Sequence, residues 1–173
     1  MIEANIITVY FMTKKTTFKS PVTGKEYVGN LEPRYSGIPT FMRTPHAKSL
    51  KDIDIGLIGV PYDGGVTNRA GARHGPREIR NQSSLMRTIH HINRVSPFDI
   101  ANIADLGDVA FSEPFNHQAV NEDITEFFRL VKKSGVIPLS VGGDHSVTYP
   151  IFKGIASDGP IGMIHVDAHT DTW

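Results

Sequence analysis

Carboxylate and imidazole side chains gather in two short segments near the end of the sequence. The first is Gly142-Gly143-Asp144-His145-Ser146, and the second is His165-Val166-Asp167-Ala168-His169-Thr170-Asp171. Asp167, His169 and Asp171 fall at i, i+2 and i+4, a spacing that an extended strand places on one face. Two carboxylates and an imidazole aimed at one point disfavour one another's charges unless a cation lies between them. A divalent metal is the simplest such cation. Oxygen and nitrogen donors without thiolate suit manganese, nickel, cobalt, iron or zinc. With His145 from the neighbouring segment these are many ligands for one ion, so Asp167 is expected to bridge two, and a two-metal site generates hydroxide near neutral pH. From spacing alone the expected chemistry is metal-assisted hydrolysis.

Those residues need elements that bring them together. Residues 53–60 form a mostly apolar, β-branched run closed by Pro61 and predict a buried strand. A Gly-rich loop over 63–75 follows, and Pro76 suits the first turn of a helix reaching about His90. Residues 100–106 predict a second strand. Residues 116–133 predict a helix with Ile124, Phe127, Phe128 and Val131 on one side. A third strand is expected over 136–141, interrupted near its start by Pro138. A short helix over 146–156 and a fourth strand over 160–166 complete the pattern. This strand–helix alternation predicts a three-layer α/β fold with a parallel sheet. His145 then lies just past one strand and Asp167 at the end of the next, so both meet at the carboxyl edge, where open α/β sheets bind ligands. His165 shares the face of Asp167 one pleat deeper, which places it in the core or behind the ligands.

Composition narrows the classes. In 173 residues, 18 Lys and Arg balance 18 Asp and Glu, which removes the basic excess of a general nucleic-acid or anionic-membrane binder. With no cysteine there are no disulfides, thiolate zinc sites or cysteine nucleophiles, and a reducing cytosol fits. The apolar run at 6–12 precedes its lysines and falls short of the roughly 18 apolar residues of a membrane span, so neither a secretory leader nor a span is expected. Residues 1–45, rich in Pro and Gly, predict an irregular arm lying over the domain. Binuclear metallophosphatases place Asp-x-His first and Gly-Asp after it. Here Asp167-x-His169 comes last, which removes that template.

At these residues the chain resembles the ureohydrolase family of arginases, agmatinases and guanidino-acid hydrolases. Gly142-Gly143-Asp144-His145-Ser146 is similar to the family's first metal motif, and Asp167-Ala168-His169-Thr170-Asp171 to its second. The likeness also runs through Gly59-Val60-Pro61-Tyr62-Asp63, Asn68-Arg69-Ala70-Gly71-Ala72-Arg73-His74-Gly75-Pro76 and Tyr35-Ser36-Gly37-Ile38-Pro39-Thr40-Phe41-Met42-Arg43. The arm and the Asn68–Pro76 loop resemble the agmatinase branch, most of all hydrolases of guanidinopropionate, guanidinobutyrate or guanidine.

The resemblance implies an arginase-like fold and two divalent ions, manganese or, as in some guanidine-hydrolysing relatives, nickel. It implies that His145, Asp167 and Asp171 hold one ion, and Asp167 and His169 the other. A metal-bridging hydroxide would attack the guanidinium carbon to give urea and an amine or ammonia, with Asp171 relaying the proton to the leaving nitrogen. Asp63, Asn68 and Arg69 would lie at the pocket mouth, although Asp63-Gly64-Gly65 is equally a plain turn signal. A small guanidino substrate, a trimer or hexamer of identical chains and a cytoplasmic location belong to the same expectation. The family's pattern has two further aspartates in a Ser-x-Asp-x-Asp-x-x-Asp-Pro segment and a catalytic histidine, which residues 1–173 do not contain. Residues 46–173 are therefore expected to be the N-terminal part of the domain, incomplete at its C-terminal side. The alternative from another class is a non-catalytic fragment or pseudoenzyme-like subunit. A deacetylase on a similar fold ranks lower, since those proteins usually hold one zinc and lack this pair of motifs.

Overall fold

The computed structural model describes residues 17–20, 22–28 and 33–171. The apolar run at 6–12 lies outside them. A small antiparallel hairpin joins β1 (Thr17–Lys19) and β2 (Glu26–Val28). The main sheet has three parallel strands, β3 (Ile55–Val60), β4 (Ile103–Asp108) and β5 (Ile137–Gly142), with β3 in the centre. Around it run α1 (Gly75–Ser83), the short α2 (Pro97–Ile100), α3 (His117–Lys133) and α4 (Thr148–Ile155).

Alternation along β3 sorts the layers. Ile58 and Val60 face a core formed with Val120, Ile124, Phe128 and Val131 of α3 and with Val147 ahead of α4. Gly59 faces the other way, where a Cβ would stand 2.9 Å from Cβ of Pro76 in α1. Helices therefore cover both faces, the expected three layers. The buried positions of α3 recur at steps of four, four and three, one stripe of a 3.6-residue helix. The side chain of Asn116 caps it by accepting from the backbone N–H groups of Gln118 and Ala119. Gly154 lets α4 close on α3, since a Cβ there would lie 2.5 Å from the Thr125 carbonyl oxygen.

The two sheet edges differ. Residues 45–47 close the β4 edge: the Asp105 N–H donates to the Pro45 carbonyl, and the Ala47 N–H to the Asp105 carbonyl, both at 2.8 Å. The free edge of β5 has no ladder partner among the described residues. Pro138 does not interrupt β5. The Ile137 N–H reaches the Asp54 carbonyl on the β3 side, so alternation turns the position of Pro138, which lacks an N–H, to the open edge.

Two expected elements are corrected. The helix from Pro76 ends at Ser83 rather than near His90, because beyond it Leu85, Met86 and Ile89 are exposed and no core-facing stripe continues. The hydroxyl of Ser83 also bonds back to the Arg80 carbonyl. The fourth strand over 160–166 does not form. Its residues are apolar enough for burial, yet every residue from 160 to 171 is exposed. A strand exists only against a hydrogen-bonding neighbour, and this segment has none among the described residues.

Candidate metal centre

The turn after β5 is clamped before it reaches His145. The Gly143 N–H donates to the Val60 carbonyl and the Asp144 N–H to the Tyr62 carbonyl at 2.9 Å. A Cβ on Gly143 would sit 1.8 Å from the Tyr62 oxygen, so only glycine fits there. Asp144 caps the following single turn of 3-10 helix, His145–Val147, its Oδ1 accepting the Ser146 N–H at 3.0 Å. His145 thus leaves a fixed backbone at the carboxyl edge of the sheet.

Its ring is oriented from both sides. Nδ1 lies 3.1 Å from Thr148 Oγ1, which turns Nε2 toward Asp171 Oδ2 at 2.9 Å. The ring stacks on His165 with centroids 5.2 Å apart and planes 7° apart. His165 Nε2 in turn lies 3.3 Å from Asp167 Oδ2. Asp171 adopts a left-handed backbone conformation, φ 49°, which aspartate tolerates better than most residues. The Asp167 carboxyl is held below the usual carboxylate range, chiefly because it accepts the backbone N–H groups of His169 and Ala168.

Donor atoms of His145, His165, Asp167 and Asp171 all fall within 4.8 Å of one another. Three of the four residues expected as ligands are in this group. The ring of His169 is not; it is 73% exposed, with Nδ1 3.9 Å from Asp167 Oδ1. His165, expected in the core or behind the ligands, stands beside Asp167 instead. The strand's period of two is not what gathers these side chains, because the strand is absent. A bend at 167–169 and the left-handed Asp171 do so. Two imidazoles and two carboxylates are donors that divalent transition metals accept. The residues fit such an ion.

The Asp63–Gly75 loop borders this turn. Asp63 is fully buried and accepts the backbone N–H of Gly71 at 2.7 Å, that of Arg73 at 3.1 Å and the Arg73 guanidinium. The Arg73 hydrogen bond, the leading cause, with that from Gly71 lowers the Asp63 carboxyl to about 2. Asn68 and Arg69, by contrast, are exposed on the loop. The Gly65 N–H donates to Asp144 Oδ2 at 2.7 Å. Tyr62 Oη lies 3.0 Å from His117 Nδ1, a contact between β3's end and α3's start that the sequence did not signal. The only available hint for Asp144 was its place as a short polar residue ahead of a helical turn.

The Arginase family model matches residues 53–173. Guanidinopropionase of Pseudomonas aeruginosa is 54% identical over 140 residues, 81% of this chain and 44% of that protein. The solved structure of proclavaminate amidino hydrolase from Streptomyces clavuligerus superposes with a TM-score of 0.76 at 38% identity, covering 82% of this chain and 47% of that one. Trypanosoma cruzi formiminoglutamase with Mn2+ superposes at 0.66 with 26% identity, covering 78% and 46%. The chain therefore spans less than half the length of these relatives. Matched by the family model over most of its residues and alike in fold to these solved hydrolases, the chain belongs to the arginase family.

Proposed function

We propose that the protein containing this chain hydrolyses a small guanidino acid to urea and an amine, with two divalent ions. The observation that carries this reading is the grouping of His145, Asp167 and Asp171 around one point at the sheet's carboxyl edge. Manganese is the proposed metal, supported by the Mn2+ in the formiminoglutamase structure, with nickel the alternative. His145, Asp167 and Asp171 would hold one ion, and Asp167 and His169 the second. When bound, such ions supply a strong nucleophile from water near neutral pH.

The chain's own residues do the rest. Guanidinium is resonance-stabilised, and its amine leaves poorly until protonated, so Asp171 acts as the relay that carries a proton to the leaving nitrogen. Arg69, exposed on the loop beside the His145 turn, supplies a cation for the carboxylate of a guanidino acid, with Asn68 as a polar partner. Asp63 acts on the substrate through the loop it holds in shape. A guanidino acid, rather than agmatine or guanidine, is favoured by Arg69 and by the name of the 54% identical relative.

The test is urea release by the whole protein with Mn2+ or Ni2+, over 3-guanidinopropionate, 4-guanidinobutyrate, agmatine and guanidine. Metal-dependent urea from a guanidino acid is expected. No urea from any compound with either metal would favour the non-catalytic reading.

A further inference from the structure

Asp144 has a duty that its position between a glycine and a histidine proposed as a metal ligand conceals. Its two carboxylate oxygens are spent on different segments. Oδ1 accepts the N–H and hydroxyl of Ser146 and starts the turn that carries His145. Oδ2 accepts the Gly65 N–H at 2.7 Å, across 79 positions of sequence. The approach there is close enough to exclude a side chain, since a Cβ on Gly65 would meet Ser146 Cβ at 2.8 Å and Asp144 Oδ2 at 3.1 Å. The other end of the loop meets the same turn, where a Cβ on Gly75 would lie 2.8 Å from the Gly142 carbonyl oxygen.

We infer that Asp144 is a positioning residue that locks the Asp63–Gly75 loop to the turn bearing His145, and so sets how far the substrate-holding side chains of the loop stand from the metal. Asp63 and Asp144 divide the work. Asp63 closes the loop on itself through Gly71 and Arg73, and Asp144 fixes the closed loop to its neighbour. A carboxylate accepts with both oxygens at once. An asparagine of the same shape turns an NH2 group toward one of the two donors, and a serine caps Ser146 without reaching Gly65.

The substrate part of this inference rests on the proposed hydrolysis; the lock itself does not. The test therefore has two arms on the whole protein, with Asp144→Asn and Asp144→Ser. In the metal-free protein, hydrogen exchange in the loop should quicken about tenfold at Gly65, the scale of a lost charge-assisted hydrogen bond, and stay unchanged in β3 and at Gly71 and Arg73, whose N–H groups Asp63 accepts. In the metal-loaded protein, KM for the guanidino acid should rise about tenfold while kcat changes little, the signature of substrate-binding side chains moved out of place and binding lost uniformly. Wild-type loop exchange in both variants would overturn the lock. A fall in kcat at constant KM would overturn the positioning role, placing Asp144 in the chemistry instead. If the wild-type protein releases no urea, the hydrolase reading fails, and the exchange arm still decides the lock.

Discussion

The β4 edge and the carboxyl end of the sheet handle charge in opposite ways. At the β4 edge Asp105 is completely buried and fully engaged. Arg80 meets it with a two-pronged fork at 2.8 and 3.0 Å and reaches Asp108 with its remaining nitrogen. The N–H groups of Phe41 and Gly107 donate to Asp105 as well, and the Arg80 guanidinium lies 4.0 Å above the Phe41 ring. Burial opposes ionisation of Asp105, yet the Arg80 hydrogen bonds and these donors outweigh it and hold the carboxyl below its usual range. Along β5 Ile137 and Leu139 are 64% and 53% exposed, and past its carboxyl end Asp167 and Asp171 meet imidazoles and a backbone N–H group among the described residues. An acid saturated by protein donors builds the fold. Acids left with lone pairs to spare are the ones available to a metal.

Substitutions on the two sides should therefore fail differently. The largest effect is expected at the carboxyl end: His145→Ala or Asp167→Ala in the whole protein should abolish urea release and lower bound metal, measured by elemental analysis. Unfolding free energy of the metal-free protein should move by no more than about 0.5 kcal/mol, as for exposed sites generally. Near-normal turnover in either variant would remove the assignment. At the closed edge, Arg80→Ala leaves a buried carboxylate without its partner and should cost about 3–5 kcal/mol in chemical denaturation. A loss below about 1 kcal/mol would place that ion pair with exposed ones and erase the contrast between the two regions.

The packed interior was the more legible in the sequence, although the charges of the closed edge were not. The β-branched run at 53–60 and the apolar stripe of α3 announce themselves through period and burial, and the structure places both within one or two residues of expectation. Arg80, Asp105 and Phe41 lie far apart in sequence, and no local spacing signals a contact that tertiary folding creates. Residues 160–166 mislead for the opposite reason. Apolar content reports a wish to be buried, whereas a strand needs a neighbour, and no local pattern says which neighbour exists. At the site, residue types were legible from spacing, while the exchange of His169 for His165 in the donor group depends on a bend and one left-handed backbone angle.

The Asp63–Arg73 pair lies between these extremes, since Asp63 is buried while half of the Arg73 side chain is exposed. Its effect should be moderate and dependent on pH. The Asp63 carboxyl titrates near 2 in the fold against a reference value of 3.8. A depressed acid contributes its stability above the unfolded value and loses it as pH falls through the folded one. The contribution should thus be complete above about pH 5 and fade as pH falls toward about 2. Hydrogen exchange at Gly71 and Arg73, whose N–H groups Asp63 accepts, is the direct readout after correction for intrinsic rates. Protection should decline over that interval in the wild type and decline at higher pH in Arg73→Gln, where the leading cause of the depression is gone.

The smallest effect tests whether the covered side is uniformly sensitive. Asn116 is exposed, yet its side chain accepts two N–H groups at the start of α3, which supplies four residues to the core. Asn116→Ala removes the cap and buries nothing new, so about 1 kcal/mol should be lost, well below the cost at Arg80. Asn116→Asp should keep nearly all of it, because an aspartate accepts the same bonds and its charge suits a helix N-terminus. Equal losses in the two variants would mean that the cap hydrogen bonds are not the cause and that packing on β3 and α4 holds α3. A loss confined to the alanine variant would show that even on the buried side the surface hydrogen bonds at an element's end contribute separately from the core they frame.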